Sequence, residues 1–221
     1  MSLLRMKLSC PFRILLLVLG IFFLQGSLNG QTAPPPGYFR FVNAAGLTGK
    51  VSLTVGSLKL KPEGFSSGDT TGSIGIIAGT QQFTVATPEA GTASAALSVQ
   101  PNGSTTMIAY CKVAIDPRTN AAKKTLQLLQ RPNPPPDNRR NFQLLYVSSQ
   151  PAAEVVLNGT TRRIDAMREL NGEELPGGDI KLEQAGKVIV TFTAPQAGNF
   201  LVVLYDDASG KLAGVVVPDY K

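Results

Sequence analysis

The sequence of 221 residues contains no histidine, no tryptophan and only two cysteines. Histidine is the commonest general base near neutral pH and the commonest protein ligand of zinc and copper. Its absence also removes the Ser-His and Cys-His pairs on which many nucleophilic enzymes depend. We therefore expect no catalytic residue, no metal site and no cofactor in this chain.

Cysteine is almost as scarce as histidine. Cys10 lies in an N-terminal leader that we expect to be removed, which leaves Cys111 alone and excludes an intramolecular disulfide. Cys111 lies in the apolar stretch TTMIAYCKVAI, so we interpret it as a small buried residue. A reactive thiol and an intermolecular bridge are the alternatives. Stability must then come from packing.

Aromatic residues make up only 7% of the chain, whereas it holds 22 glycines and 16 prolines. This composition is typical of many short elements separated by turns rather than of long helices. An apolar content of 43% is sufficient for a packed core. The composition favours an all-β fold.

The first thirty residues have the pattern of a signal peptide. An unbroken apolar run, residues 14–24, is followed by the small residues GSLNGQT. The run is preceded by three basic residues, Arg5, Lys7 and Arg13. Since a membrane span needs about 20 residues, we favour cleavage near Gly30/Gln31 over an uncleaved anchor. We expect a periplasmic or secreted protein with no stable membrane span after cleavage.

The charge is unevenly distributed along the chain. The formal net charge is +6, but three of the positive charges belong to the leader. Residues 116–141 hold six bases and two acids, whereas residues 142–221 hold seven bases and ten acids. Basic residues do not alternate with aromatic ones anywhere, which argues against nucleic acid as a partner.

Two similar series of strand patterns are separated by the proline-rich stretch RPNPPPDNRR. Before it, the strand candidates are residues 38–43, 51–55, 72–77, 82–86, 95–99, 105–115 and 125–130. After it, they are residues 141–147, 154–158, 180–183, 188–192, 200–206 and 211–217. Proline removes backbone donors and stops both central strands and helices, so the stretch predicts a linker.

This series predicts two tandem antiparallel, immunoglobulin-like β-sandwich domains. The boundaries are a signal peptide at 1–30, a flexible segment at 31–37, domains at 38–131 and 141–221, and a linker at 132–140. One segment departs from the repeat, because Ile164, Met167 and Leu170 are spaced three apart. That spacing predicts a short helix from about Asp165 to just before Gly172. The first domain has KPEGFSSGDTTG in that place, which we expect to be a loop.

Several short motifs suggest chemistry but are better explained as turns. Residues 64–68 match the G-x-S-x-G nucleophile elbow, yet no histidine exists to serve as base. Acid pairs at Glu173-Glu174, Asp206-Asp207 and Asp165/Glu169 could support glycosidic chemistry or Ca²⁺ binding. The first lies in a polar loop and the second between two apolar strands, so we expect a loop and a hairpin turn.

The strand residues also carry a family resemblance. RFVNAAG followed by VSLTVGS, IIAGTQQFTV and TTMIAY resembles a small β-sandwich repeat found in exported bacterial proteins of unknown function. The two-domain layout is similar, more specifically, to the family of periplasmic accessory proteins of alginate O-acetylation. That family has Asn-Ala, Val-Gly-Ser and a Pro/Gly-led hairpin where Asn43-Ala44, Val55-Gly56-Ser57 and Ala78-Gly79 stand here. The resemblance covers about residues 38–115 and is mostly pattern over 142–217.

The resemblance implies a non-enzymatic accessory or scaffold protein of the cell envelope that assists alginate-like exopolysaccharide O-acetylation. Its partner would be an envelope protein such as a polysaccharide acetyltransferase, with the polysaccharide itself as a further candidate. The alternatives are a secreted carbohydrate-binding or adhesive module, and a hydrolase that lacks its base. We expect the partner-binding residues to be Arg162, Arg163 and Arg168, because they reverse the local charge in an otherwise acidic domain. The alternative is that Arg162 and Arg163 pair with Asp165, Glu169 or Glu173 as a solvated face.

Overall fold

The structure is a computed structural model that describes residues 35–135, 140–171, 178–194 and 198–219. These residues form β-strands, turns and loops, and none of them is helical. The all-β prediction is therefore confirmed. The predicted signal peptide lies outside the described residues, as do residues 136–139 of the predicted linker and Glu173-Glu174.

The strands fall into two halves of eight. The first half contains β1 (Pro36–Ala44), β2 (Val51–Val55), β3 (Leu58–Phe65), β4 (Ile74–Ile77), β5 (Gly79–Thr87), β6 (Gly91–Val99), β7 (Ser104–Ile115) and β8 (Ala122–Pro132). The second half contains β9 (Arg140–Val147), β10 (Ala152–Leu157), β11 (Thr160–Asp165), β12 (Glu169–Asn171), β13 (Gly178–Gln184), β14 (Lys187–Ala194), β15 (Gly198–Asp206) and β16 (Leu212–Asp219).

Each half consists of two four-stranded sheets with the same strand order. In the first half the orders are β4-β1-β7-β8 and β3-β2-β5-β6, and in the second they are β12-β9-β15-β16 and β11-β10-β13-β14. Every strand of the first half thus has its counterpart eight strands later. The repeated topology bears out the prediction of tandem β domains.

The sheets are mainly antiparallel, as expected, but each half contains one parallel strand pair. β1 runs parallel to β7, with Tyr38 opposite Ser104, and β9 runs parallel to β15, with Phe142 opposite Phe200. A parallel pair needs a long crossover connection, which the intervening strands provide. Alternation in a sequence predicts which face of the sheet a residue occupies, but not whether the neighbouring strand runs parallel or antiparallel. The pattern alone therefore did not identify these two parallel pairs.

Each half encloses its own apolar core between its two sheets. In the first core, the rings of Phe39 and Phe83 lie 5.1 Å apart edge to face, and those of Phe41 and Phe65 lie 4.9 Å apart. The second core is built around Phe142, Leu144, Ile164, Ile180, Leu182, Phe200, Val202 and Leu204. Such aromatic pairs add about 0.5–1.5 kcal/mol each beyond area burial.

A third apolar cluster joins the two halves. It consists of buried residues on the outer faces of the two sheets that hold the parallel pairs: Val42, Ala44, Ile108, Tyr110, Leu145, Val147, Leu201, Val203, Tyr205 and Val217. The central strands of these sheets are therefore covered on both faces, which explains their continuous apolar runs. Within the described residues the two halves form one compact unit.

The predicted helix near Asp165 is wrong. β11 extends to Asp165 and pairs antiparallel with β10, and β12 begins at Glu169. Met167 in the turn between them has a positive φ of 62°, which a helix does not allow. Ile164 is buried in the sheet core instead of on a helix face. A three-residue spacing sustained for only two turns does not outweigh strand pairing, since short helices are marginal alone.

The predicted loop in KPEGFSSGDTTG is wrong in its first part. β3 runs through Lys61 and Pro62 to Phe65, at the edge of its sheet. Proline is tolerated on an edge strand because its missing N–H faces away from the ladder. β3 and β4 are the counterparts of β11 and β12, so this region follows the repeat in both halves.

The start of the proline-rich stretch packs onto the first half. Asn133 N donates to the carbonyl of Ser104, and Asn133 Nδ2 donates to Ser104 Oγ at 2.8 Å. Pro135 O accepts a hydrogen bond of 3.1 Å from Asn199 Nδ2 in the second half. The chain is therefore held against both halves as far as residue 135.

Candidate functional site

The three arginines expected to bind a partner lie at two places on the second half. Arg163 Nε contacts Asp165 Oδ1 at 3.2 Å, and Arg168 Nη1 lies 3.8 Å from Asp165 Oδ2. Arg162 is also exposed on β11, but strand alternation places it on the same side as the buried Ile164. Arg163 and Arg168 therefore share one carboxylate, while Arg162 points to the other face of the edge strand.

These ion pairs hold the arginines only weakly. The side chains of Arg163 and Arg168 are 67% and 80% exposed, and exposed pairs contribute about 0–1 kcal/mol. Glu169, another acid that could pair with these arginines, contacts Arg131 instead. Two guanidinium groups thus remain accessible to a partner's carboxylates.

A groove of about 550 Å³ lies between the two halves. It opens where β1, β9 and β15 end, and the residues that line it include Ala44, Gly46, Cys111, Val113, Lys124, Ser148, Gln150, Asp206 and Asp207. Ala166, beside the arginines, donates its backbone N–H to Pro151 O, directly after the Ser148–Gln150 wall. The groove could not be predicted from the sequence, because it is assembled from segments of both halves.

The polar side chains of the groove are engaged in holding the structure together. Asp206 accepts hydrogen bonds from Tyr146 Oη at 3.0 Å and from Ser148 Oγ. Lys124 Nζ donates to Gly46 O at 3.1 Å. Val113 N in the first half donates to Ser149 Oγ in the second at 2.7 Å. These bonds orient the walls of the groove and connect the two halves.

Asp207 terminates the β15–β16 hairpin as expected. Its Oδ1 accepts hydrogen bonds from Ser209 Oγ at 2.7 Å and from the backbone N–H of Lys211 at 2.9 Å. The bond from the Ser209 hydroxyl is the main cause that holds the pKa of the Asp207 carboxyl below its usual range. This carboxylate serves as a turn cap.

Cys111 lines the groove as a free, half-buried thiol. Burial raises the pKa of the Cys111 thiol to about 11, and the nearby Lys124 offsets only part of that effect. The thiolate is the nucleophilic form, so the side chain is protonated and unreactive at neutral pH. This agrees with the interpretation of Cys111 as a small packing residue.

The G-x-S-x-G match covers the end of β3 and the tight turn that follows it. Asp69 Oδ2 accepts from the backbone N–H of Ser66 at 2.9 Å, and Ser67 Oγ donates to Leu47 O at 3.1 Å. The hydrogen bond from Lys61 lowers the pKa of Asp69, so the carboxylate stays charged while it holds this turn. The serines support loops, as the absence of a base led us to expect.

A basic two-stranded arm projects beside the groove. We define the arm as residues 111–124, the part of the β7–β8 hairpin that extends past the last residue pair of β1 and β7, Ala44 with Tyr110. It carries four bases, Lys112, Arg118, Lys123 and Lys124, and one acid, Asp116. The excess of bases in residues 116–141 indicated a basic region, but not that it would project from the sheet.

A buried polar cluster joins the halves at the opposite end of their interface. Arg131 is 6% exposed, and its guanidinium contacts Glu169 Oε1 at 2.7 Å, Asn133 Oδ1 at 3.3 Å and Gln143 Oε1. A charged group that is buried and paired in this way is costly to unpair, by about 3–5 kcal/mol. The cluster therefore fixes how the two halves meet.

Comparisons with known proteins return no match to a protein-family model and none to a curated protein sequence. In the part of the chain that the structure describes, no helix is long and apolar enough to span a membrane. Nor do the described Cys, Asp and Glu residues form a group of three able to hold a metal ion.

Proposed function

We propose that this protein is a non-enzymatic accessory or scaffold protein of the cell envelope that acts by binding another protein. The observation that carries the proposal is the engagement of the groove's polar groups in structural bonds: Asp206 with Tyr146, Lys124 with Gly46, and Ser149 with Val113. Side chains engaged in this way hold the walls of the groove in place, whereas a general base or nucleophile must be available to a substrate.

The biological setting of the proposal comes from the sequence. The basic leader and short apolar run support export, and the resemblance over residues 38–115 supports a role in alginate-like exopolysaccharide O-acetylation. The partner that fits both is a polysaccharide acetyltransferase of the envelope. We also propose that each half is an immunoglobulin-like sandwich, and the two packed sheets of each half support this.

Arg163 and Arg168 are the contacts we propose for that partner, together with Arg162 on the opposite face of β11. Guanidinium groups bind carboxylates in bidentate fashion, and the pairs with Asp165 are exposed enough to be exchanged. Turn residues on a rigid sandwich are a common location for binding functions. A partner with an acidic surface fits this arrangement.

A carbohydrate-binding module is the second candidate, favoured by the volume of the groove and its hydroxyl and amide groups. Sugar sites commonly present an exposed aromatic ring for stacking. Phe65, Tyr146 and Phe200 are each at most 4% exposed, whereas Tyr38 is 37% exposed. Direct titration of the mature protein with oligouronates by calorimetry separates this candidate from the first.

The test of the proposed function uses an affinity-tagged copy in the producing bacterium. We expect the wild type to copurify with the acetyltransferase, and a strain without the gene to make polymer with reduced acetyl content. The variant R162A/R163A/R168A should fold normally and lose the acetyltransferase. The matched control K50A/K59A/K187A removes the same charge from three other exposed positions and should retain it.

Two results would overturn the proposal. The accessory role is ruled out if the deletion strain makes polymer with unchanged acetyl content and no acetyltransferase copurifies with the wild type. The proposal that the protein is not an enzyme is ruled out if the pure protein alone releases acetate from acetylated polymer.

A further inference from the structure

The arm exposes a strand edge beside the groove. β1 pairs with β7 only as far as Ala44 opposite Tyr110, whereas β7 and β8 continue to pair as far as Ile115 opposite Ala122. Among the described residues, no strand pairs with β7 on the β1 side beyond Tyr110. An edge of this kind is a template for an added strand.

The backbone groups on this edge are directed away from β8. Asp116 N donates to Ala121 O across the hairpin, so even-numbered residues of β7 face β8. Alternation then directs the N–H and C=O of Val113 and Ile115 to the open side. Val113 N donates to Ser149 Oγ at 2.7 Å, so an acceptor already reaches this donor from the groove. The serine hydroxyl occupies the position that a carbonyl of an added strand would take.

The groove provides the space that such a strand needs. It lies beyond the last residue pair of β1 and β7, and both Val113 and Ser148–Gln150 line it. An added strand would displace the Ser149 hydroxyl from Val113 N. The groove's volume of about 550 Å³ is within the range of about 300–1,000 Å³ that is usual for ligand sites. The groove therefore has the volume to hold part of a short extended segment, and the remainder of that segment would follow the arm.

The side chains of the arm define the chemistry of the occupant. Val113 and Ile115 are 40% and 57% exposed, an unusual exposure for β-branched residues in a strand. Lys112, Arg118 and Lys123 are exposed as well. The single acid, Asp116, is directed into the turn, where Oδ1 accepts from Arg118 N at 2.8 Å. The surface is thus apolar along its edge and positive around it.

The repeat shows that the arm is not required by the fold. In the second half the corresponding hairpin ends where the sheet ends, since Asp206 pairs with Leu212 one residue after Tyr205 pairs with Val147. The first half has the same sheet order but a hairpin that continues for several more residues. A projection that only one of two equivalent halves carries is an addition to the sandwich.

We propose that the arm binds an extended, acidic segment of a partner protein, which adds as a strand along residues 111–115 and occupies the groove. This inference rests on the proposed function and names the chemistry of its partner. A protein segment fits better than a polysaccharide, because it supplies both the backbone bonds for the edge and apolar side chains for Val113 and Ile115. Its carboxylates complement the four bases.

The experiment uses fluorescence anisotropy with the mature protein and labelled octapeptides. The first probe alternates Glu and Val, the second alternates Lys and Val, and an oligouronate is added as competitor. We expect saturable binding of the Glu-Val peptide and at least tenfold weaker binding of the Lys-Val peptide. Binding of the Glu-Val peptide should weaken as salt is raised.

Two sets of variants locate the site. K112E/R118E/K123E should weaken binding of the Glu-Val peptide at least tenfold, whereas the control K50E/K59E/K187E should change it less than twofold. Val113→Pro removes one edge donor without touching the bonds to β8, and should also weaken binding at least tenfold. Ser149→Ala should strengthen binding of the Glu-Val peptide, because the hydroxyl that competes for Val113 N is removed. Circular dichroism and melting curves verify that each variant is folded.

Each contrary outcome overturns the arm proposal. These are no saturable binding of the Glu-Val peptide, equal binding by the arm variants, and saturable binding of the oligouronate alone. If the wild type is a dimer and Val113→Pro dissociates it, the edge binds a second copy of this protein instead. If the peptide fails while the wild type still copurifies with the acetyltransferase, only the arm proposal is lost. If the acetyltransferase does not copurify, the proposed function fails whatever the peptide does.

Discussion

Gly46, in the loop after β1, lies directly against the backbone carbonyl of Asp206 at the end of β15. A Cβ atom at Gly46 would overlap that oxygen, and the φ of Gly46 is +59°, a value that favours glycine. The contact joins the two halves at the mouth of the groove. A side chain at position 46 can be accommodated only if the backbones of both halves shift apart.

Gly46→Ala should therefore destabilise the protein by at least about 2 kcal/mol, from strain at positive φ and from the clash between the halves. Gly56→Ala is the matched control, because Gly56 has the same φ of +59° but no atom within 4 Å of its Cβ position. It should cost only about 1 kcal/mol. Urea unfolding followed by circular dichroism measures both. Equal losses for the two variants would show that the contact with Asp206 contributes nothing.

Trypsin should cut the chain at Arg139 or Arg140, in the predicted linker, and the two fragments should remain together. The apolar cluster that includes Leu145 and Val203 and the ion pair of Arg131 with Glu169 connect the halves without the peptide link. Size-exclusion chromatography of the nicked protein should give one peak in native buffer and two in urea. Separation of the fragments in native buffer would contradict a stable interface.

Cys111 should react slowly with iodoacetamide at pH 8. Burial raises the pKa of its thiol from 9.0 to about 11, so the thiolate fraction in the folded protein is about 100-fold below that of the unfolded chain. The measurement compares alkylation rates in native buffer and in guanidinium by mass spectrometry. A native rate within a few-fold of the unfolded rate would reject the buried, protonated thiol.

The same pKa shift predicts how stability depends on pH. A pKa that is raised on folding favours the folded state below the unfolded value, and this contribution is lost as pH rises from about 9 through about 11. The wild type should therefore lose more stability than Cys111→Ser over this interval. Parallel melting curves of the two proteins at pH 8 and pH 11 provide the test.

The exported protein should begin near residue 31. The leader has three basic residues and an apolar run too short to span a membrane, which are the dimensions of a cleaved signal. Intact mass spectrometry of the protein from the periplasm or the medium checks this, and changing the small residues before Gln31 to bulky ones should shift or slow the cleavage. An intact Met1 in the exported protein is the contrary result.

Much of the fold could be predicted because strand alternation is a local signal. In VSLTV, alternate residues are buried as the pattern indicates, and most other predicted strands lie within observed ones. β3 was missed because Lys61 and Pro62 are tolerated only through its edge position, which is a property of the sheet. The short helix near Met167 was predicted from spacing over too few residues to be decisive.

The candidate site was less predictable, because its walls come from distant parts of the chain. FLVVLY indicates a buried strand, but hydrophobicity does not specify that Val203 and Tyr205 face the other half. Likewise, the arginines at 162, 163 and 168 were grouped by closeness in sequence, whereas the alternation of β11 directs Arg162 away from Arg163. Charge counts indicated the basic region but not the arm that presents it.

The parallel pairing of the first and seventh strands of each half also affects the order of folding. Phe39 is opposite Thr105 in the first half, so β1 has to remain unpaired on that side until most of the half has emerged. Pairings this distant in sequence raise the contact order, and β proteins of this kind fold in about milliseconds to seconds. In the export that we propose for this protein, such slow closure would keep the chain unfolded while it crosses the membrane.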